Sequence, residues 1–231
     1  MKSLVEFIKE SLDEYYHFTS MDNVVKILEE NRFKCSTRED EFLIAQNDKE
    51  NENDRKYDLY VREYESKFPY FLCTTRQKSG SNGFALQSRK LENRCRIVLD
   101  GNKLNSKYKI IPYNFFGSEE GKLSAHREYN KDYQKYVGKN RGDESEDRVL
   151  SKKKFIDNAS NYIIRIDFCP SDSEYLDEET FKQFKKLSKE RNIDIYIYPD
   201  KKSFDLGKND KSYKLDNSSN FFKRLFSFKK N

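Results

Sequence analysis

The sequence predicts an α+β domain in which short strands alternate with flanking helices. Two observations carry that expectation. Apolar residues recur with helical spacing in two stretches: Leu4, Phe7, Ile8 and Leu12 near the start, and Phe181, Phe184 and Leu187 within Glu178–Glu190. Between and after them run short strand-like segments, clearest at Pro69–Arg76, Tyr162–Phe168 and Ile193–Tyr198. A third observation supports an ordered core. Aromatic residues make up 15 % of the 231 residues although charged residues reach 37 % and mean hydropathy is -1.05. Phe and Tyr bury large areas, so a small aromatic core under a charged shell fits better than disorder.

The elements follow in order. A helix over Leu4–Leu12 precedes a strand at Glu14–Phe18. Ser20 caps a second helix, with Asp22 in its first turn and the apolar run Val24-Val25-Lys26-Ile27-Leu28 behind it. That helix stops near Asn31-Arg32, and Phe33–Ser36 reads as a strand. Residues 37–66 form a polar insertion, acidic over 39–65, long enough to be a functional excursion. Pro69–Arg76 is a buried strand, Gln77–Asn82 a turn, and Phe84–Leu86 pairs with Cys95–Leu99, with Asp100-Gly101 as the turn that follows. Leu104–Ile111 begins a segment closed by Pro112, and 114–140 is irregular or helical. A strand starts at Glu146–Leu150, Lys152–Asn158 is a connector, and Tyr162–Phe168, Glu178–Glu190 and Ile193–Tyr198 are strand, helix and strand. One domain over 1–200 results, followed by a basic, loosely ordered tail at 201–231 in which Phe221, Phe222, Leu225 and Phe228 suit a short docking helix.

Composition narrows the function classes. Lys and Arg outnumber Asp and Glu by 45 to 40, a balance too mild to mark a nucleic-acid binder. Cys35, Cys73, Cys95 and Cys169 are widely spaced without a C-x-x-C pair, which argues against zinc. Nothing resembles a signal peptide, and no apolar run approaches the roughly 18 residues of a membrane span. The expectation is a soluble protein of a reducing cytoplasm, without a membrane partner. Gly80-Ser81-Asn82-Gly83 lacks the lysine and following helix of a phosphate loop and reads as a turn. The chain has two histidines, and His126 lies in a charged stretch that suits solvent.

Three polar motifs remain: Tyr16-His17-Phe18-Thr19-Ser20, Phe71-Leu72-Cys73-Thr74-Thr75-Arg76 and Glu144-Ser145-Glu146-Asp147-Arg148. In that order they resemble the ADP-ribosyltransferase superfamily. The likeness is to small phage and bacterial members with a Tyr-His-x-Thr-Ser strand followed at once by an Ile-Leu helix. It spans residues 12–170, about two thirds of the chain. The resemblance implies a split, mostly antiparallel β core with flanking helices that holds NAD as a substrate in a cleft. It further implies that His17 bonds the adenosine ribose, that Thr19 contacts that ribose or holds His17, and that Thr74 or Thr75 shapes the strand under the nicotinamide ribose. Glu146 would bond the 2′-hydroxyl of that ribose and stabilise the charge that grows as nicotinamide leaves. Glu144 would orient or deprotonate the acceptor, and Arg76 and Arg148 would meet the pyrophosphate. The acceptor would be a macromolecule of a bacterial host, protein or nucleic acid. No metal is called for. Two departures stand out: Thr-Thr-Arg occupies the second motif where His-type members often carry Tyr, and Glu-x-Glu members often carry Arg where this chain has His17.

Each residue also has a plain structural reading. His17 between aromatics suits a core histidine, Thr74 and Thr75 suit any strand, and Glu144, Glu146 and Asp147 suit an acidic turn. Two other functions compete: a non-catalytic binding or inhibitor protein on the same fold, and a metal-dependent nuclease or nucleic-acid-binding module. For a nuclease, Asp167 in Ile166-Asp167-Phe168 is the strand acid to consider, and the sequence offers it no partner.

Overall fold

A computed structural model describes residues 14–37, 64–75, 78, 94–113, 146–170, 177–205 and 212–215. The expected helix at Leu4–Leu12, most of the 37–66 insertion, the strand at Phe84–Leu86, the stretch 114–140 with His126, and the four phenylalanine and leucine positions from Phe221 to Phe228 lie outside the described residues.

The architecture is mixed α and β, with mostly antiparallel sheets and few helices. In chain order the elements are β1 (Glu14–Ser20), α1 (Met21–Glu30), β2 (Arg32–Lys34), β3 (Tyr70–Thr74), β4 (Arg94–Asp100), α2 (Gly101–Lys107), β5 (Lys109–Tyr113), β6 (Glu146–Ser151), β7 (Phe155–Asp157), a 3-10 turn (Ala159–Asn161), β8 (Ile163–Cys169), α3 (Glu178–Glu190), β9 (Asp194–Ile197), α4 (Lys201–Asp205) and β10 (Tyr213–Lys214). A five-stranded sheet has the order β1-β4-β8-β9-β10, a three-stranded sheet the order β3-β6-β5, and β2 pairs with β7. All pairings are antiparallel except β8 with β9, which α3 connects.

Local chemistry explains the best-read elements. Ser20 accepts the Asn23 N–H at 3.4 Å to open α1, and Met21, Val24, Val25, Ile27 and Leu28 form its buried stripe. Asn31 closes α1 in the left-handed region at φ 51, where a short amide side chain is tolerated. Asp177 opens α3 by accepting the Thr180 N–H at 2.7 Å and hydroxyl at 2.6 Å, and those bonds hold its carboxyl below the ordinary value. Phe181 and Phe184 then pack on Phe168 with centroids 5.6 and 6.0 Å away.

The five-stranded sheet buries side chains on both faces because alternate residues serve opposite sides. Tyr15, Ile97, Leu99, Ile166 and Phe168 join α1 and α3 in the main core. Tyr16, Phe18, Val98 and Cys169 face Tyr198 and Phe204 on the other side. Phe71, Ile111 and Leu150 form a separate small cluster on the three-stranded sheet.

Several local expectations need correction. Asp100-Gly101 is not a free turn: the Asp100 carboxylate accepts the Lys103 N–H at 3.0 Å and caps α2. Pro112 does not close a segment but lies inside β5. The connector at Lys152–Asn158 contains β7, stabilised by pairing with β2 rather than by its own pattern. Beyond Pro199 the polar composition hides α4 and β10. Asp200 caps α4 through Ser203 N–H and hydroxyl bonds of 2.7 and 2.8 Å, and Phe204 is completely buried.

Candidate functional site

The sheets meet where β1 approaches β3. Beyond β3, Thr75 exchanges two backbone hydrogen bonds with Tyr16, at 2.7 and 2.9 Å. Beside this bridge the half-buried His17 reaches across the junction, its Nδ1 2.8 Å from the Cys73 carbonyl oxygen. A carbonyl only accepts, so Nδ1 carries the proton in this contact. Phe33 meets the imidazole edge-on at 6.1 Å and fixes its plane.

On its other side β3 is bonded to β6. The buried Thr74 hydroxyl donates to the Asp147 carbonyl at 2.9 Å, and Cys73 stands opposite Arg148 in the ladder. Glu146, the first residue of β6, pairs its backbone with Tyr113 of β5. The β3–β6 ladder ends at the Thr74–Asp147 pair, one residue short of Glu146. The three motifs therefore lie on neighbouring strands in the order β1, β3, β6.

The other candidates are placed differently. Thr19 is buried at the foot of α1, where its hydroxyl oxygen accepts from the Asn23 side-chain amide at 3.1 Å. Thr75 is buried too, and its backbone forms the bridge. Arg148 is fully covered, with its guanidinium 3.9 Å from the Phe71 ring centroid. Glu144 and Arg76 lie outside the described residues.

The sequence reading missed a charged cluster on the opposite face of the five-stranded sheet. Arg96 on β4 is fully buried and donates twice to Asp167 Oδ2 on β8, from Nε at 2.8 Å and Nη2 at 2.6 Å. It also donates to the Tyr198 hydroxyl, to the Phe204 carbonyl at 3.0 Å and to the Lys78 carbonyl. Arg165 donates to the other Asp167 oxygen at 3.2 Å and to Glu14 at 3.1 Å, and Tyr16 donates to Glu14 at 2.6 Å. Burial, then the bond to Glu14, pushes the Tyr16 phenol well above its ordinary value. Burial, then the cations Arg165 and Arg96, pushes the Lys78 ammonium down. The available signal was register: Asp167 stands directly opposite Arg96. Both Asp167 oxygens are thus bonded to arginines, which removes it as the metal ligand of a nuclease. Among the described residues no group of three or more His, Cys, Asp or Glu side chains is placed to hold a metal ion, and no helix is long and apolar enough to cross a membrane.

No protein-family model matches this chain, and no curated protein matches it. A solved structure, Thermus sp. 2.9 DarT in complex with ADP-ribosylated ssDNA, superposes with a TM-score of 0.37 at 11% sequence identity, over 78% of this chain and 90% of that one.

Proposed function

We propose that the chain is an NAD-dependent ADP-ribosyltransferase that modifies a macromolecular acceptor, protein or nucleic acid. The observation that supports this reading is the juxtaposition of the three motifs: His17 is bonded to Cys73 in the second motif, and Thr74 to Asp147 in the third. The donor chemistry fits NAD. With Nδ1 bonded to Cys73, a neutral imidazole would carry its acceptor on Nε2, the group that complements a ribose hydroxyl. NAD supplies an ADP-ribosyl group joined through a glycosidic bond to a cationic leaving group. In this reading His17 bonds the adenosine ribose, and Thr19 holds the start of α1 beside it. Thr74 and Thr75 fix β3 between β6 and β1. Glu146 accepts from the 2′-hydroxyl of the second ribose and offsets positive charge at the reacting carbon. Glu144 serves the acceptor, and Arg76 the pyrophosphate. We assign the covered Arg148 to holding β6 against β3 by its contact with Phe71.

The test is NAD labelled in its adenosine half, mixed with the purified protein in a bacterial lysate beside a Glu146→Gln variant. Label should move to a protein or nucleic-acid band with the unmodified protein only. NAD should raise the melting temperature of both forms, since ligand binding to the folded state stabilises it by mass action. No transfer and no thermal shift would overturn the reading in favour of a non-catalytic binding protein.

A further inference from the structure

Ser151, Lys152, Lys153 and Lys154 join β6 to β7. The two strands are not neighbours: β3 and β2 lie between them, joined by the Ser36–Phe71 bridge. The turn therefore arches over the start of β3. It is held firmly, because the buried Ser151 hydroxyl donates to the Lys153 carbonyl at 2.7 Å and accepts the Lys153 N–H at 3.0 Å. Cys35 N–H then fastens the Lys154 carbonyl at 2.9 Å. All three lysine side chains are exposed.

Other exposed lysines gather at the same end. Lys109 pairs with Leu150, and Lys34 with Phe155; Lys67 stands just before β3. Lys152 and Lys109 lie over the Phe68 and Tyr64 rings at 5.8 and 4.4 Å. None of these six lysines is in an ion pair with a carboxylate among the described residues. Elsewhere on the described surface some lysines are paired, Lys182 with Glu178, Lys186 with Glu190, Lys103 with Asp100 and Lys214 with Asp194, and others are not; what sets this end apart is that six gather there. A rigid arch of ammonium groups without a carboxylate partner among the described residues is the complement of a repeating anion.

We infer that the Lys152–Lys154 arch, flanked by Lys34, Lys67 and Lys109, is a docking surface for the phosphate backbone of a nucleic acid. A membrane surface fits less well, because membrane-bound basic faces insert apolar side chains. The large exposed apolar residues among those described, Ile164 and Tyr213, lie on β8 and β10 instead. The arch stands five residues along β6 from Glu146, about 16 Å at strand pitch. It does not depend on the transferase reading.

Binding of a fluorescent 20-nucleotide DNA, single- and double-stranded, to the full chain tests this by anisotropy across a salt series. Reversing Lys152, Lys153 and Lys154 to Glu should weaken binding at least tenfold and lower the salt slope by about 2–3, the release expected for three phosphates. Reversing Lys103, Lys182 and Lys186 to Glu gives the same change in net charge and should leave most of the affinity. Circular dichroism of each variant confirms folding. Equal losses in both variants, no loss in the first, or no binding at all would overturn the inference. So would turn-dependent binding of phosphatidylserine vesicles or polyglutamate without DNA binding.

Discussion

At the scale of single residues, the Arg96–Asp167 pair decides more than any member of the three motifs. Both side chains are fully buried, and Arg96 alone bonds β8, Tyr198, the backbone of α4 and Lys78. Removing one partner of such a pair strands the other charge out of water. Arg96→Met should therefore cost about 3 kcal/mol, the low end for a broken buried pair, because Arg165 still holds one Asp167 oxygen. Arg96→Met with Asp167→Leu should recover only the part due to the stranded Asp167 charge, because the bonds of Arg96 to Tyr198 and the Phe204 carbonyl stay lost. Urea unfolding measures both, and a single substitution costing under about 1 kcal/mol would contradict the role. Such pairs are poorly legible in a sequence. Asp167 drew notice as an acid inside a strand, but its partner is 71 residues away and known only once β4 and β8 are in register. His17 was easier, because a histidine in an aromatic strand is rare in this chain. Its tautomer was not legible, since that depends on a carbonyl from another sheet.

At the scale of elements, legibility followed the number of local cues. The helix at Glu178–Glu190 carries a cap, two acids in the first turn and a phenylalanine stripe, and its limits were readable to the residue. α4 and β7 are five and three residues long, too short for a periodicity, and exist because Phe204 and Ile156 are buried by distant partners. Asn31 shows how one residue ends an element and joins it to another. It holds the left-handed conformation, its carbonyl accepts the Ala159 N–H at 2.9 Å, and its side chain accepts the Ser160 N–H at 3.0 Å. Asn31→Ala keeps the first bond, loses the second, and removes the short polar side chain that makes the left-handed region tolerable for Asn, where an ordinary residue pays up to about 1–2 kcal/mol. The expected destabilisation is about 2 kcal/mol in urea, and Asn31→Gly should recover the conformational part but not the hydrogen bond. If glycine proves no better than alanine, the backbone argument fails.

At the scale of the whole molecule, the fold stores many weak acids in their neutral form. Burial pushes the Cys35 thiol from 9.0 up to about 12, and pushes the Cys95 thiol well up. The Tyr16, Tyr108 and Tyr198 phenols are raised as well, again chiefly by burial. A composition of 35 % hydrophobic residues forces this, because the core is filled with Tyr and Cys as well as aliphatic side chains. The sequence showed the tyrosines and cysteines but not which would be sealed. The sign of the consequence is fixed by linkage. Above their ordinary values these groups lose protons in the unfolded chain while the folded chain retains them, so rising pH favours unfolding. Lys78 works the other way, since its lowered value lets the folded state shed a proton first, but it is one group against five. From neutral pH, stability should therefore be level up to about pH 8 and fall increasingly above pH 9. Cys35 alone should contribute about 2 kcal/mol of loss between pH 7.5 and 10.5. Urea midpoints at those two pH values, for the unmodified chain and for Cys35→Ala, measure that share directly. The alanine variant should start less stable at pH 7.5, from the lost packing, and fall less steeply. Equal slopes in the two proteins would mean that the Cys35 thiol reaches solvent before the core opens, and that the junction of β2 with β7 unfolds independently of the sheets.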